Sequence, residues 1–375
     1  MQYTEYELGE LLPFEQPTAY IVKSTDYNDC YSTPVLTAGK SFILGKTNEK
    51  YGIFDQLPVI IFDDFTTATQ FVNFKFKVKS SAMKILHINT ALVMPKYIFY
   101  RLQIIQFDHS THKRYWIQSY SKIKVSIPSL DEQSRIVSRI DELFSELDKA
   151  VDTLKTTKEQ LEVYRQAVLK DAFSDFEKKD SIRNLTTVVT SGSRGWAKYY
   201  SDSGALFVRI GNLTHNGIDI DFRDIQHITP PDNAEGIRTR LQPNDVLVSI
   251  TADLGSIGFV SKKVEEAYIN QHIALVRFQN SAQGRFMAWY LRSEYGQKDL
   301  LKNKRGGGKL GLGLDDIRDT PVPIVDDVTA KETVDKIEEQ LSVCNSIEKT
   351  VDTALAQTDA MQQSILKQAF KEGSI

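Results

Sequence analysis

The sequence predicts an α/β (α+β) chain in which two similar mixed blocks alternate with two long helices. Three observations predict it. First, a long helical stretch occurs twice, from about Asp131 to Phe173 and from about Val328 to Phe370. A constant shift of 197 residues brings Val137 onto Val334, Ile140 onto Ile337, Leu169 onto Leu366, Ala172 onto Ala369 and Phe173 onto Phe370. Such an internal repeat decides the architecture before any single element does. Second, each stretch carries a heptad pattern. Third, the segments before them alternate short apolar runs with turn residues, the pattern of short strands.

In the first helical stretch Ile140, Leu147, Leu154, Leu161 and Val168 recur every seven residues, with Leu143, Ala150, Thr157 and Tyr164 three places later. The second stretch repeats the spacing with Ile337, Cys344, Val351, Thr358 and Ile365, and with Ile347, Ala354 and Met361. That is an a/d seam sustained for several turns, with charged residues outside it. Neither stretch holds Gly or Pro between its ends. Each helix either packs on its own block or on the other helix. Mutual packing makes a rod of roughly 65 Å, at 1.5 Å per residue.

The 375 residues suffice for two domains with real cores. No apolar run reaches the length of a membrane span, and Met1 to Pro13 mixes acidic and apolar residues, unlike a signal peptide. Cys30 and Cys344 lie far apart, which fits a reducing cytoplasm better than a disulfide or zinc framework. The net charge of −3 hides a division. Residues 1–128 carry 14 basic and 11 acidic side chains and residues 181–324 carry 18 and 15, so each block is +3. Residues 129–180 carry 9 and 13 and residues 325–375 carry 5 and 10, so the helices are acidic.

The first block, 1–128, opens its strands with Pro34–Leu36 and Ser41–Leu44, and Leu57–Phe62 reads as a buried strand. Phe74, Phe76 and Val78 alternate with Lys75, Lys77 and Lys79, giving a half-buried strand with lysines on one face. That face is either a solvated edge that resists aggregation or a surface for phosphates. Met94-Pro95 opens a helix over Lys96–Ile105. His109 and His112 stand three apart without a third metal ligand nearby. Lys124–Ile127 is a last strand, Pro128 stops it, and Ser129 or Asp131 caps the long helix. After that helix, residues 174–182 read as a polar linker.

The second block, to residue 324, begins with a Gly/Ser loop around Arg194 and Trp196, read as a contact loop. Phe207–Ile210, Leu241–Ile250 and Ala267–Val276 read as strands or turn-fed strands, and Phe286–Arg292 as a short helix. Lys302 to Gly311 joins four positive charges to glycines that let backbone amides approach an anion. It is a phosphate-contacting loop or a solvated basic one. It is not a Walker loop, because Asn303 and Leu310 stand where that pattern needs Gly and Ser or Thr. Thr320–Pro323 closes this block as Ser126–Pro128 closes the first. The blocks echo each other: Leu57–Phe62 resembles Leu241–Ile250, Ser80–Ile85 resembles Asn270–Leu275, and Tyr97–Leu102 resembles Met287–Arg292.

No catalytic constellation stands out. Pro230-Pro231 lacks the preceding Asn or Asp of an amino-methyltransferase, no Gly-x-Ser-x-Gly elbow occurs, and adjacent Asp63 and Asp64 in a strand would point to opposite faces. On these residues a stand-alone enzyme and a coiled-coil scaffold both stay open.

The layout resembles the specificity subunit of type I restriction-modification systems over essentially the whole chain. The resemblance rests on Ile127-Pro128-Ser129-Leu130-Asp131-Glu132-Gln133 running into Ile136-Val137, and on the helix end Leu169-Lys170-Asp171-Ala172-Phe173. These recur as Val322-Pro323, Val334 and Leu366-Lys367-Gln368-Ala369-Phe370, with Ala330 where the first copy has Gln133. It implies two target-recognition domains, 1–128 and 179–324, separated by two long antiparallel coiled-coil helices, 129–178 and 325–375, in a pseudo-twofold repeat. It implies a non-catalytic subunit that reads a bipartite double-stranded DNA target, binds two methyltransferase subunits and, through them, restriction/translocase subunits. S-adenosylmethionine, ATP and Mg would sit on those partners, with no cofactor or metal in this chain. Major grooves recur about every 34–36 Å, so the rod would place two domains on one face of the duplex. The candidate DNA contacts are Thr37, Lys40, Lys46, Asp64, Thr66, Thr67, Lys75 and Lys79 in the first block. In the second they are Arg194, Lys198, Arg209, Asn212, Thr251, Asp253, Lys304, Arg305 and Lys309. Arg and Asn suit guanine and adenine edges, and Lys suits phosphates. Helix packing would fall to Ile140, Leu147, Leu154, Leu161, Val168, Ile337, Cys344, Val351 and Ile365.

Overall fold

The structure is a computed structural model and describes residues 3–37, 41–107, 114–232, 234–302, 304–305 and 310–372. The chain divides into two units, Met1–Thr153 with Thr353–Ile375, and Leu154–Asp352. Among the described residues every buried apolar cluster lies wholly within one unit.

The described strands of the first unit are β1 (Thr4–Glu7), β2 (Phe14–Glu15), β3 (Thr33–Leu36), β4 (Ile43–Thr47), β5 (Val59–Asp63), β6 (Thr69–Val72), β7 (Lys77–Val78), β8 (Met83–His87) and β9 (Lys124–Ile127). They form sheets in the orders β2-β8-β5-β6 and β4-β3-β7 and a ribbon β1-β9. Those of the second unit are β10 (Lys178–Ser181), β11 (Thr186–Ser191), β12 (Tyr200–Ser201), β13 (Ala205–Val208), β14 (Gln226–Ile228), β15 (Val246–Ser249), β16 (Ile257–Phe259), β17 (Ala267–Ile269), β18 (Ile273–Phe278) and β19 (Pro321–Pro323). Its sheets run β11-β18-β15-β16 and β12-β14-β13-β17, with a ribbon β10-β19.

The two orders correspond. Each unit has an antiparallel four-stranded sheet that ends in a hairpin, β5–β6 or β15–β16, whose second strand is the edge. Beside it a smaller or more irregular sheet contains one parallel pair, β3 with β7 or β13 with β17. In each, a ribbon strand ends shortly before a long helix. β5 and β15 are buried at every position, as strands covered on both faces are. The expected linker after Phe173 is partly strand, because Lys178–Ser181 pairs with Pro321–Pro323. The expected continuous strand 267–276 is broken at Asn270–His272 into β17 and β18, which belong to different sheets.

The first long helix is Leu130–Phe173. Ser129 supplies its cap, its Oγ accepting from Glu132 N at 3.5 Å. Gln133 is fully buried: its Oε1 accepts from Met94 N at 2.7 Å, and its Nε2 donates to Leu92 O at 3.1 Å and Pro128 O at 2.9 Å. One side chain thus pins the helix start to the block before it. The second copy does this differently. Ala330 packs there among apolar neighbours, while Asp326 caps the helix by accepting from Val328 N and Thr329 N, both at 2.9 Å. Hydrogen bonds from Thr329 and Val328 hold the Asp326 carboxyl below its ordinary pKa.

Within the second unit the helices run antiparallel. Asp171 meets Lys336 at 3.3 Å, Arg165 meets Glu348 at 2.8 Å and Lys158 meets Asp352 at 2.8 Å, one sequence number rising as the other falls. Val168 and Leu169 share a core with Val334, Ile337 and Leu341. In the first unit Ile136, Val137 and Ile140 share one with Leu366, Ala369 and Phe370. The heptad expectation needs two corrections. Only its first row is buried: Ile140, Leu147, Leu161, Val168, Ile337, Cys344 and Val351 are, and Leu154 is half-buried. The second row is more open: Tyr164, Ile347 and Met361 are exposed, and Leu143, Thr157 and Ala354 are half-buried. The second stretch is also two helices, Asp327–Ala356 and Thr358–Glu372, separated at Gln357. Past that break the buried residues are Leu366, Ala369 and Phe370, and Ile365 is only half-buried.

Candidate nucleic-acid interface

The β5–β6 and β15–β16 turns carry four of the candidate contacts, Thr66 and Thr67 in one and Thr251 and Asp253 in the other. In the second unit the turn between β15 and β16 carries Thr251, Ala252 and Asp253. Ala252 is left-handed, φ 61°, a conformation L residues other than Gly rarely adopt. Both sides of the turn are held. Asp253 meets His215 Nε2 at 2.8 Å and accepts from Ser256 Oγ at 3.1 Å. Thr251 bridges Gly311, and Leu312 N donates to Ile250 O at 2.9 Å. Arg305 pairs with Gly311 through both backbone groups, at 3.0 and 2.8 Å.

Beside this turn lies an open groove of about 960 Å³, lined by Arg194, Thr251, Ala252, His272, Arg305 and Leu312 among others. Arg194 is exposed, and the Arg305 side chain is 79% exposed while it pairs with Asp316 at 2.9 Å. Asp315 also lines the groove, but Arg318 at 3.0 Å and Arg183 at 3.3 Å neutralise it and hold its carboxyl below the ordinary range. The groove thus brings together Arg194, Thr251 and Arg305, three of the candidates, with Lys304 exposed beside them.

A second hollow of about 600 Å³ surrounds Arg209, Asp221, Arg223, Asp224 and Asn270. Arg209 lies 3.5 Å from Asp224, and Arg223 bonds Asp221 so firmly that its carboxyl drops to about 2. Asn212 is not available there. It is 3% exposed, its Oδ1 accepts from Arg209 N at 2.8 Å, and its Nδ2 donates to Asp221 O and Asp224 O at 2.8 and 3.1 Å. It folds the loop instead. Trp196, expected in a mobile contact loop, is likewise core: it stacks on Phe207 at 5.3 Å and its indole bonds Glu235. Lys198 stays exposed, over the Tyr199 ring at 4.9 Å.

In the first unit the candidates spread over two sheets. Thr37, Lys46 and Lys79 lie on or beside β4-β3-β7. Lys79 N donates to Leu36 O at 2.8 Å, its ammonium lies 5.9 Å from the Tyr27 ring, and Lys46 Nζ reaches Asp29 O at 3.5 Å. Thr66 and Thr67 form the β5–β6 turn, where Thr67 is left-handed, φ 57°. Lys75 is exposed and loosely paired with Asp55 at 3.7 Å. Two expectations are overturned by burial. Asp64 is 1% exposed; it pairs with buried Lys84 at 3.3 Å and accepts from Trp116 N at 2.9 Å. The lysine-lined strand face is also broken, because Lys77 turns inward. Its ammonium donates to Tyr51 O at 2.7 Å and Gly52 O at 3.0 Å and pairs with Glu49 at 3.2 Å. Lys40, Lys309, His109 and His112 lie outside the described residues.

His272 and Gln271 were not among the residues expected at the site. Their signal was present: three polar residues, Asn270-Gln271-His272, interrupt an otherwise apolar run. Gly192 fits the chain to that interruption, since a Cβ there would meet the Ile269 and Asn270 backbone at 2.3 Å. Among the described residues no three His, Cys, Asp or Glu side chains gather as metal ligands, and no helix is long and apolar enough to cross a membrane.

A family model described as the type I restriction modification DNA specificity domain matches residues 2–163 and 206–357. The chain belongs to this family. Among curated proteins it is similar to the EcoR124I/EcoR124II specificity subunit of Escherichia coli, 45% identical over 174 residues, 43% of each chain. It is also similar to the StySPI specificity subunit of Salmonella potsdam, 28% identical over 68% of this chain and 58% of that one. The matched stretches thus span about half the length of these relatives. Among solved structures it is similar, at TM-score 0.69 and 15% identity over 98% of this chain and 97% of the other, to a chain from work on complex assembly and conformational transition of the type I R-M system. The HsdS subunit of Thermoanaerobacter tengcongensis matches at TM-score 0.56 and 15% identity, over 98% and 96%. At these identities the structures share the fold.

Proposed function

We propose that this chain is the non-catalytic, DNA-reading subunit of a type I restriction-modification complex. The observation that carries the reading is the duplication: two units with corresponding strand orders and different loops, in a chain of the DNA specificity family. One scaffold with two readout surfaces is what a split, asymmetric target requires. Residues 1–128 and 179–324 form the two target-recognition domains, and 129–178 and 325–375 the spacer helices. In the second domain Arg194, Lys198, Arg209, Thr251, Asp253, Lys304, Arg305 and Lys309 face DNA. In the first, Thr37, Lys40, Lys46, Thr66, Thr67, Lys75 and Lys79 do so. Lysines hold phosphates and the polar turn residues meet base edges.

The partners are double-stranded DNA, two methyltransferase subunits and, through them, restriction/translocase subunits, in the cytoplasm. S-adenosylmethionine, ATP and Mg belong to those partners. The open apolar row on the helices, where Tyr164, Val343 and Ile347 line a hollow of about 590 Å³ with Leu161 and Cys344, offers the methyltransferases a surface. A map of methylated bases in cells expressing the chain with its companion methyltransferase tests this. A split motif whose halves change separately when residues 1–128 or 181–324 are exchanged supports it. A stable complex without such a motif favours a scaffold, and methylation by the pure chain favours a stand-alone enzyme.

A further inference from the structure

We infer that His272 sets Thr251 as a hydrogen-bond donor in the lining of the second domain's groove, and that this donor selects the base at one position of the target. The inference rests on the DNA-reading function proposed above. The Gln271 side-chain amide nitrogen lies 2.8 Å from His272 Nε2. An amide nitrogen only donates, so Nε2 accepts and the ring proton sits on Nδ1. His272 Nδ1 in turn meets Thr251 Oγ1. Nδ1–H therefore donates to the hydroxyl oxygen, and the hydroxyl proton is left over. Thr251 Oγ1 makes no other hydrogen bond among the described residues, and both Thr251 and His272 line the groove.

The setting makes that donor rigid. Thr251 is bridged to Gly311 on one side and followed by left-handed Ala252 on the other, and His272 N is tied to Asn270 Oδ1 at 3.1 Å. A fixed donor favours a base presenting an acceptor in the major groove, such as O6 or N7 of guanine or O4 of thymine, over the amino group of cytosine. Arg194 and Arg305 at the groove supply the charge that holds the duplex against it. At the corresponding turn of the first unit stands a different arrangement, the buried Asp64–Lys84 pair. The effect belongs to one half of the target.

The test compares methylated motifs produced by the full chain, assembled with its methyltransferase subunits, carrying His272→Asn, His272→Asp or Thr251→Val. Asn places an amide donor where Nδ1 stood and preserves the motif. Asp accepts the hydroxyl proton, turns the oxygen of Thr251 outward as an acceptor, and shifts the preferred base at one position toward one with an amino group. Thr251→Val relaxes that position, lowering its discrimination by about tenfold. The other half of the motif stays unchanged throughout and reports that the chain has folded. If His272→Asp loses all methylation, the other two variants decide. A wild-type motif from Thr251→Val, or the same motif from the Asn and Asp variants, overturns the inference. Absence of any split motif from the unmodified chain instead overturns the functional reading on which it rests.

Discussion

Asp64 and Lys84 are 1% exposed each and 3.3 Å apart, with Asp64 also accepting the Trp116 backbone N–H at 2.9 Å. An isolated charge left in that place has no water to solvate it. Asp64→Ala therefore destabilises the first unit by about 3–5 kcal/mol, the usual loss when one partner of a buried pair is removed. Asp64→Leu combined with Lys84→Met recovers most of it. Urea denaturation of the single and double variants checks both statements, and a single-variant loss below about 1 kcal/mol would refute the buried-pair account. The same physics limits what a sequence discloses at this scale. Arg194, Lys198 and Lys304 are exposed as their type suggests. Asp64, Lys77 and Asn212 are not, and each is claimed by partners up to 52 residues away that no local pattern announces.

The hairpin at the sheet edge is the element where strain and candidate contacts coincide. β5–β6 and β15–β16 each carry a left-handed residue that is not glycine, Thr67 or Ala252. For an L residue this conformation costs roughly 1–2 kcal/mol, while glycine loses about 0.5–1 kcal/mol in chain entropy. Ala252→Gly is thus expected to raise stability by about 0.5–1 kcal/mol, read as a higher urea midpoint at unchanged slope. A fall in the midpoint would contradict the strain assigned to this turn. The long helices give a second comparison. Ile337 is fully buried and Leu154 only half so. Ile337→Ala should cost about 2–5 kcal/mol and Leu154→Ala roughly half as much or less. Equal losses would restore the full a/d seam that the heptads predict. The heptads do identify the buried row from Ile140 to Val351, because periodicity reports which face is apolar. They miss the break at Gln357, where neither Gly nor Pro marks the turn and only the shift of burial to Leu366 records it.

At the scale of the whole molecule, charge and core divide differently along the chain. Charge follows the blocks: +3 for residues 1–128 and for 181–324, acidic for the helices. Lys304→Ala with Arg305→Ala should then weaken DNA binding by the assembled complex and reduce its salt slope by up to about 1.8, since each neutralised phosphate contributes about 0.9. An unchanged slope would remove this loop from the interface. The cores instead follow Met1–Thr153 with Thr353–Ile375, and Leu154–Asp352. The first unit is therefore discontinuous in sequence, and its last segment is part of its core. Leu366, Ala369 and Phe370 cover Ile136, Val137 and Ile140, and Phe370 packs edge-on to Tyr97 at 5.3 Å and under Arg101 at 5.5 Å. Among the described residues the buried apolar clusters of the second unit hold none beyond Asp352. A chain ending at Asp352 should keep the unfolding transition of the second unit. It should lose at least about 4 kcal/mol from the first, the cost of uncovering two large apolar side chains and one small one. Urea unfolding followed by amide hydrogen exchange separates the two units. Protection lost in β5 and β8 but kept in β15 and β18 is the expected pattern. Equal loss in both would mean that the units share one cooperative core, and that the duplicated architecture does not unfold by halves.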